Sequence, residues 1–173
     1  YKYDKKHMTI LPRMHSKSAQ HEKKYREITG LKKGEKPAFT DNLYFMFKHQ
    51  LGTMYLRYFM WNFSGRASDI QDANWVGLSN AFKELPPELA NNKGRNIYFG
   101  LPLLLGVIGL LYQYKKNEKY FWVTLLLFFL TGAALVLYLN SPPIEPRERD
   151  YIYAGSYYVF AIWIGFGVLS VYD

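Results

Sequence analysis

Three long runs without a charged residue restrict what the second half of the chain can fold into. They cover residues 97–114, 120–139 and 151–172, and each is 18 residues or longer. A helix needs about 20 apolar residues to cross a bilayer core of about 30 Å, and backbone polar groups in lipid must be satisfied within the segment. The runs therefore predict three transmembrane helices. The alternative, buried helices of a large soluble core, rarely contains uncharged runs of this length.

Residue types within the runs support a membrane location. Pro102 suits the first turn of a helix better than its interior, so the first run predicts a short or tilted helix. Small residues in the third run predict contact with another helix or a wet cavity; they are Gly155, Ser156, Gly165 and Gly167. Aromatic residues near the run ends are typical of a membrane interface; they are Tyr98, Tyr112, Tyr114, Tyr120, Trp122, Tyr138, Tyr151 and Tyr153.

Charge divides the chain into two regions. Residues 1–96 hold 17 Lys and Arg against 9 Asp and Glu, whereas residues 97–173 hold 5 of each. The predicted fold class is therefore an all-α membrane protein, in which a basic, aromatic-rich extramembranous region (1–96) precedes a three-helix transmembrane segment (97–173). The absence of cysteine excludes disulfides, thiolate catalysis and Cys-ligated zinc. Because the chain starts without Met and stops directly after an apolar run, we expect an internal piece of a longer protein.

The first 37 residues are strongly polar. Residues 16–29 predict a solvated helix that ends at Gly30, and residues 31–37 predict a loop. No base-reading motif accompanies the basic side chains, so anionic lipid headgroups or plain solvation are favoured over nucleic acid. The four histidines have neither metal-ligand spacing nor a carboxylate cluster, which predicts no metal site; they are His7, His15, His21 and His49.

An aromatic segment at about 41–63 predicts one further helix. Apolar residues recur in it at three- and four-residue steps; they are Leu43, Phe47, Leu51, Met54, Tyr58 and Trp61. Lys48 and Arg57 argue against a membrane span, so an interfacial amphipathic helix is predicted. A helix packed on the membrane bundle is the alternative, and the two interpretations are compatible. Residues 65–80 predict a polar loop.

A proline-rich loop between the second and third runs carries the clearest chemical signal. Residues 142–150 read PPIEPRERD, so three prolines stiffen the backbone around five charged residues. Two guanidinium groups at an interface can grip a phosphate bidentately, whereas lysine acts as a point charge. Arg147 and Arg149 are therefore candidate phosphate-binding residues, and Glu148 and Asp150 are candidates to orient them or to act as acid or base. A salt-bridged surface turn is the structural alternative.

Two strings of sequence resemble a bacterial family of large multi-span membrane proteins. They are PRERDYIYAGSYYVFAIWIGFGV, which begins at residue 146, and LGTMYLRYFMWNFSGRASDIQ, which begins at residue 51. The resemblance covers about residues 38–172. That family was long described only as a domain of unknown function and is now grouped with the protein O-mannosyltransferases of the GT-C glycosyltransferase superfamily.

The resemblance implies a polytopic enzyme of the bacterial inner membrane. Such an enzyme moves a sugar from a polyprenyl-phosphate donor to Ser or Thr of an exported protein; mannose is one candidate sugar, and no cofactor is implied. Periplasmic chemistry would place residues 1–96 and 140–150 outside and residues 115–119 inside. Charge alone does not decide this orientation, because three lysines in the turn at 115–119 oppose four cationic residues on the other side; these are Lys93, Arg95, Arg147 and Arg149.

The resemblance also implies roles for individual residues. Arg147 and Arg149 would neutralise the leaving phosphate, and Glu148 or Asp150 would orient them. The residues expected to line the same outer cavity are Arg57, Trp61, Asn62, Arg66, Tyr151 and Tyr153. GT-C enzymes typically keep a catalytic carboxylate in their first outer loop, so the catalytic base is expected outside this chain.

A non-enzymatic membrane protein is the rival from another functional class. It would be a scaffold or a transporter subunit of an export machine. A transporter favours ionisable groups inside its spans, and the three runs contain none. A scaffold predicts the same charge pattern as the enzyme. An acidic residue in an upstream outer loop would favour the enzyme.

Overall fold

The computed structural model describes residues 10–173, most of which are helical; His7 lies outside the described residues. The helices, in chain order, are α1 (Ala19–Thr29), α2 (Phe39–Phe45), a π-helix (Met46–Leu56), α3 (Arg57–Phe63), α4 (Leu78–Ala81), α5 (Pro87–Ala90), α6 (Leu101–Lys116), α7 (Glu118–Thr131), α8 (Ala133–Leu139), a 3-10 helix (Asp150–Tyr153) and α9 (Ala154–Tyr172). Two strands, β1 (Gly65–Arg66) and β2 (Asn96–Ile97), pair in antiparallel register.

Two helical stretches of the described residues are long and apolar enough to cross a membrane. They are Glu118–Leu139 and Asp150–Tyr172, and they coincide with the second and third uncharged runs. The first uncharged run forms α6, a helix of only 16 residues. Sixteen residues rise about 24 Å, which falls short of a bilayer core of about 30 Å. The structure therefore supports two spans and does not support the predicted third.

The late start of α6 has a local cause. Ile97, the first residue of the uncharged run, is extended and pairs with Gly65 of β1, and residues 98–100 also precede the helix. Gly100 follows with φ at 71°, a left-handed conformation that glycine adopts without steric cost. Pro102 then occupies the first turn of the helix, as predicted. α6 continues to Lys116, two residues beyond the predicted end.

α6 and α9 pack together through glycine. A methyl group added at Gly109 would overlap the carbonyl oxygen of Trp163, and one added at Gly167 would overlap that of Leu105. Such close backbone approach is possible only for residues without a side chain. Gly165 faces open space among the described residues, so it makes no helix contact, and the cavity alternative for this glycine stays a prediction.

The segment 39–63, which we call the central helix, is continuous through α2, the π-helix and α3. The backbone N–H of Arg57 donates to the carbonyl of Gly52, five residues earlier, which is the π pattern. This lengthened period moves the predicted apolar stripe around the axis. Phe47 is exposed, whereas Met54 and Trp61 are buried. The stripe therefore does not stay on one face, as a constant period of 3.6 residues would require.

The central helix packs on the candidate spans, as the alternative interpretation proposed. One buried cluster joins Tyr55, Tyr58 and Trp61 to Val136 of α8 and Tyr153 before α9. A second cluster joins its last turn to α9; it consists of Phe59, Phe63, Val159, Phe160 and Trp163. Residues from both predicted regions, 1–96 and 97–173, thus pack together in each of the two clusters.

The segment 65–80 is more ordered than the predicted loop. Beyond the pairing of β1 with β2, Val76 donates its backbone N–H to the Gly65 carbonyl at 2.8 Å, and Arg66 forms a bridge with Trp75. Gly65 adopts φ at 143°, and a side chain there would collide with the Asn96 carbonyl. Strands of two residues leave no alternating pattern in the sequence, which is why the loop prediction missed them.

Candidate functional site

A cavity of about 420 Å³ opens where the proline-rich loop meets α1 and the central helix. We call it the loop cavity. Its wall is formed by four segments, namely α1, the central helix, the turn at 71–72 and the loop at 143–148. The charged or titratable side chains that line it are Lys24, His49, Arg57, Tyr58, Asp72, Glu145, Arg147 and Glu148.

An ion pair between the buried Arg57 and the part-buried Glu148 lies in the lining of this cavity. The Nη2 to Oε2 distance is 3.0 Å, a second contact from Nη1 to Oε1 measures 3.4 Å, and the side chains are 8% and 19% exposed. Asp72 lies 3.8 Å from the same guanidinium. The Arg57 Nε also donates to the Thr53 carbonyl at 2.9 Å. Arg57 is thus held in one orientation by partners from three segments.

Glu148 has its acceptor positions occupied. The Tyr58 hydroxyl donates to Oε2, and the Asp72 backbone N–H donates to Oε1 at 2.6 Å. Burial alone would raise the pKa of Glu148, but these hydrogen bonds and the Arg57 charge outweigh it and hold the pKa below its usual value. Burial and the adjacent carboxylate raise the pKa of Tyr58. Glu148 is therefore suited to orient Arg57 rather than to exchange protons.

The loop presents its two arginines differently. Arg147 is exposed and lines the loop cavity, and within residues 10–173 it has no ion-pair partner. Arg149 lies 4.0 Å from Glu145, four residues earlier in the same loop, and is not part of the lining. Lys24 of α1 also lines the cavity, and its only ion pair within the described residues is a half-exposed one with Glu27 at 3.5 Å. Arg147 and Lys24 are therefore the cations available to a ligand.

His49 forms an uncharged part of the cavity wall. Burial and the positive charges of Lys24 and Arg57 lower its pKa to about 4, which outweighs the opposite effects of the Pro143 carbonyl and Asp72. Its Nε2 atom is buried and has no hydrogen-bond partner among the described residues. The imidazole is therefore neutral at pH 7 and does not add to the positive charge of the site.

A buried polar clasp joins the loop to the N-terminal segment. The Arg13 guanidinium is buried and lies 3.3–3.4 Å from three oxygens, namely Gln50 Oε1, Asn140 Oδ1 and the Leu137 carbonyl. Gln50 Nε2 donates to Asn140 Oδ1 at 3.1 Å and to the Ser141 carbonyl at 2.8 Å. The clasp thereby fixes the loop at its first residues.

Sequence reasoning missed this clasp. Arg13, Gln50 and Asn140 stand far apart in the chain, and none belongs to a motif. The only local signal was the position of Asn140 at the end of an apolar run, where asparagine often adopts the left-handed conformation that ends a helix. Asn140 does so here, with φ at 45°.

The remaining predicted site residues do not line the loop cavity. Trp61 and Arg66 lie behind Arg57: the guanidinium carbon of Arg57 is 4.9 Å from the Trp61 ring centroid, and that of Arg66 is 4.0 Å from it. Tyr153 is buried against Tyr55, with ring centroids 5.1 Å apart. Asn62 bonds to the backbone of its own helix, Asp150 accepts from the Tyr151 N–H, and Tyr151 is exposed.

The described residues contain no group of three His, Cys, Asp or Glu side chains that could hold a metal ion. The cavity has carboxylates, but those of Glu148 and Asp72 face Arg57. The chemistry that this arrangement can perform is the binding and electrostatic stabilisation of an anion.

Comparison with known proteins yields one partial match. Residues 1–47 match a family described as "Family of unknown function (DUF8416)". The match includes α1 and the start of the central helix, so it covers the segment that carries Lys24 and Arg13. No curated protein and no solved structure matches the chain. The resemblance to the O-mannosyltransferases stays a prediction.

Proposed function

We propose that the chain is part of a polytopic membrane glycosyltransferase that takes a sugar from a polyprenyl-phosphate donor. The observation that carries this proposal is the exposed Arg147 guanidinium in the wall of the loop cavity, beside the fixed Arg57–Glu148 pair. A planar guanidinium with free donors is the group best suited to grip a phosphate. The acceptor is Ser or Thr of an exported protein, and mannose is one candidate sugar.

The charge distribution supports an anionic ligand. Glu148 and Asp72 are paired with Arg57, and Glu145 lies 4.0 Å from Arg149, so within the described residues Arg147 has no ion-pair partner and Lys24 has only the half-exposed Glu27. When the glycosidic bond to phosphate breaks, negative charge grows on the phosphate oxygens. Cations that are already in place stabilise that charge without rearrangement.

The two arginines of the loop then have distinct roles. Arg147 contacts the donor phosphate directly, and Arg149 holds the loop through Glu145. Glu148 keeps the Arg57 side chain in place in the lining of the cavity. In this proposal, neither Glu148 nor Asp150 acts as the catalytic base. The catalytic carboxylate belongs to a part of the enzyme outside this chain.

A membrane location supports a lipid-borne donor. The loop that lines the cavity joins the two long apolar helices, which end and begin at residues 139 and 150. We propose that α6 is a third membrane-embedded helix, since it packs closely on α9. Residues 1–96 and 140–150 are then periplasmic, in the bacterial inner membrane, and the lysine-rich turn at 115–119 is cytoplasmic.

Replacement of Arg147 should slow sugar transfer. Loss of one charge-assisted contact costs about 1.5–3 kcal/mol, or about 10- to 150-fold in rate if the contact acts fully in the transition state. Arg147→Lys should restore little of this loss, since lysine keeps the charge but loses the planar fork. The rate is measured for the full-length protein with a polyprenyl-phosphate sugar and an exported acceptor.

Lys93→Ala is the matched control, because Lys93 is an exposed cation of the same region outside the cavity lining. Unchanged transfer in Arg147→Ala would contradict the phosphate role. Loss of the protein from the membrane, rather than loss of transfer rate, would indicate that the loop has a structural role. That result would favour the scaffold or transporter alternative.

A further inference from the structure

An exposed apolar cluster lies next to the segment that leads into α6, and the transfer reaction gives it no role. Phe82 is 80% exposed and Leu78, one turn earlier, is 62% exposed. We call the cluster the aromatic collar; its members are Trp75, Leu78, Phe82, Tyr98, Phe99 and Leu101, all of them exposed. Six exposed large apolar residues in one place are uncommon on a surface that faces only water.

The collar is held in place by the short β-ribbon. Trp75 forms an isolated backbone β-bridge with Arg66, and Tyr98 donates its backbone N–H to the Ser64 carbonyl at 2.9 Å. Ser64 Oγ also donates to the Val76 carbonyl at 2.7 Å. These bonds fix the segments that carry the collar to the end of the central helix. Trp75 and Tyr98 are therefore exposed although their segments are held in place by backbone hydrogen bonds.

The collar continues the apolar surface of α6. The rings of Phe82 and Phe99 lie 5.8 Å apart, which joins the α4 end of the collar to the residues directly before α6. Leu101 and Leu104 extend this exposed apolar surface into the first turn of α6. Lys83 and Glu84, which follow Phe82, are exposed and charged, so the collar has a polar edge.

The length of α6 points to what covers the collar. The helix falls about 6 Å short of a bilayer core when its rise of about 24 Å is set against about 30 Å. Its N-terminal end is where the collar lies. Aromatic residues are the types that settle at the boundary between acyl chains and headgroups.

We propose that the aromatic collar inserts into the lipid headgroup boundary and completes the apolar length that α6 lacks. The partner is the bilayer surface itself. Phe82, Leu78 and Phe99 lie against lipid, and Lys83 and Glu84 lie at the headgroups. This proposal rests on the proposed membrane location of α6 together with α7 to α9, but not on sugar transfer, so each can fail without the other.

Spin labels at single cysteines measure the depth of the collar. This chain has no cysteine, so Phe82→Cys and Leu78→Cys each add the only thiol within it. The protein is placed in nanodiscs of phosphatidylethanolamine and phosphatidylglycerol, and collision rates of the label with oxygen and with a water-soluble nickel chelate are compared. Ile70→Cys is the control, because Ile70 is an apolar residue of similar exposure, 59%, outside the collar.

Labels at positions 82 and 78 should collide more with oxygen than with nickel, and the label at position 70 should do the reverse. Equal nickel access at positions 82 and 70 would overturn the proposal, because it would place the collar in water. Protection of position 82 from both reagents would also overturn it, since it would indicate a protein partner instead of lipid.

Discussion

Replacement of Gly167 by leucine is expected to separate α6 from α9 and to lower the free energy of unfolding by about 3 kcal/mol, the upper end of ordinary overpacking costs. The cost is high because the added side chain meets the Leu105 carbonyl oxygen, a backbone atom that no rotamer change can move. Gly109→Leu should act similarly, through the Trp163 carbonyl. Unfolding in nanodiscs, followed by intrinsic tryptophan fluorescence, measures both effects.

Gly165→Leu is a matched control on the same helix. Gly165 is two residues from Gly167 and has open space around its α-carbon. Leucine also favours the helix over glycine by roughly 0.5–1 kcal/mol, so this variant should be as stable as the parent or slightly more stable. Equal stability of the two leucine variants would contradict the close contact between α6 and α9.

Removal of Glu148 is the second change with a large expected effect. Glu148→Ala should cost about 3 kcal/mol, the lower end of the range for one partner of a buried ion pair, since a fifth of the Glu148 side chain is exposed. The cost arises because Arg57 stays buried without its carboxylate. The control is Glu27→Ala, which should cost no more than about 1 kcal/mol, because Glu27 and its partner Lys24 are both half-exposed, at 51% and 48%. Denaturant unfolding measures both, and equal costs would contradict the special role of Glu148.

The same pair predicts a dependence on pH. The pKa of Glu148 is below its usual value in the folded protein, so the folded state binds fewer protons than the unfolded chain at mildly acidic pH. Its stabilisation is complete above the unfolded pKa and is lost as the pH falls through the folded pKa. Glu148→Gln should therefore flatten the acid side of the stability profile. An unchanged slope in this variant would contradict the assignment.

Segments with a simple period could be predicted from the sequence. The uncharged runs at 120–139 and 151–172 correspond to Glu118–Leu139 and Asp150–Tyr172, because long apolar runs leave few other folds. Gly30 ends α1 in the left-handed conformation, as the C-cap pattern predicted. α6 could not be delimited in this way. The first residues of the uncharged run are as apolar as the rest, and a tertiary contact, the pairing of Ile97 with Gly65, keeps the start of the run out of the helix.

The site could be predicted only in part. The proline-rich loop identified Arg147, but in sequence Arg147 and Arg149 are equivalent. Only the fold pairs Arg149 with Glu145 and leaves Arg147 at the cavity. Arg57 and Glu148 are 91 positions apart, and the π-helix decides which face of the central helix Arg57 occupies. No local sequence pattern predicts the pairing of Arg149 with Glu145 or the face of the central helix on which Arg57 lies.

Equilibrium binding of a polyprenyl phosphate tests the central claim most directly, since it measures the Arg147 contact without sugar transfer. In nanodiscs, the full-length protein with Arg147→Ala should bind the lipid about 10- to 150-fold more weakly than the parent, the cost of one charge-assisted contact. Arg149→Ala should weaken binding of the lipid less than Arg147→Ala does. The uncharged polyprenol should bind the parent and the Arg147→Ala protein equally. Parental affinity for the phosphate in Arg147→Ala, or equal losses for phosphate and alcohol, would contradict a phosphate site in the loop cavity.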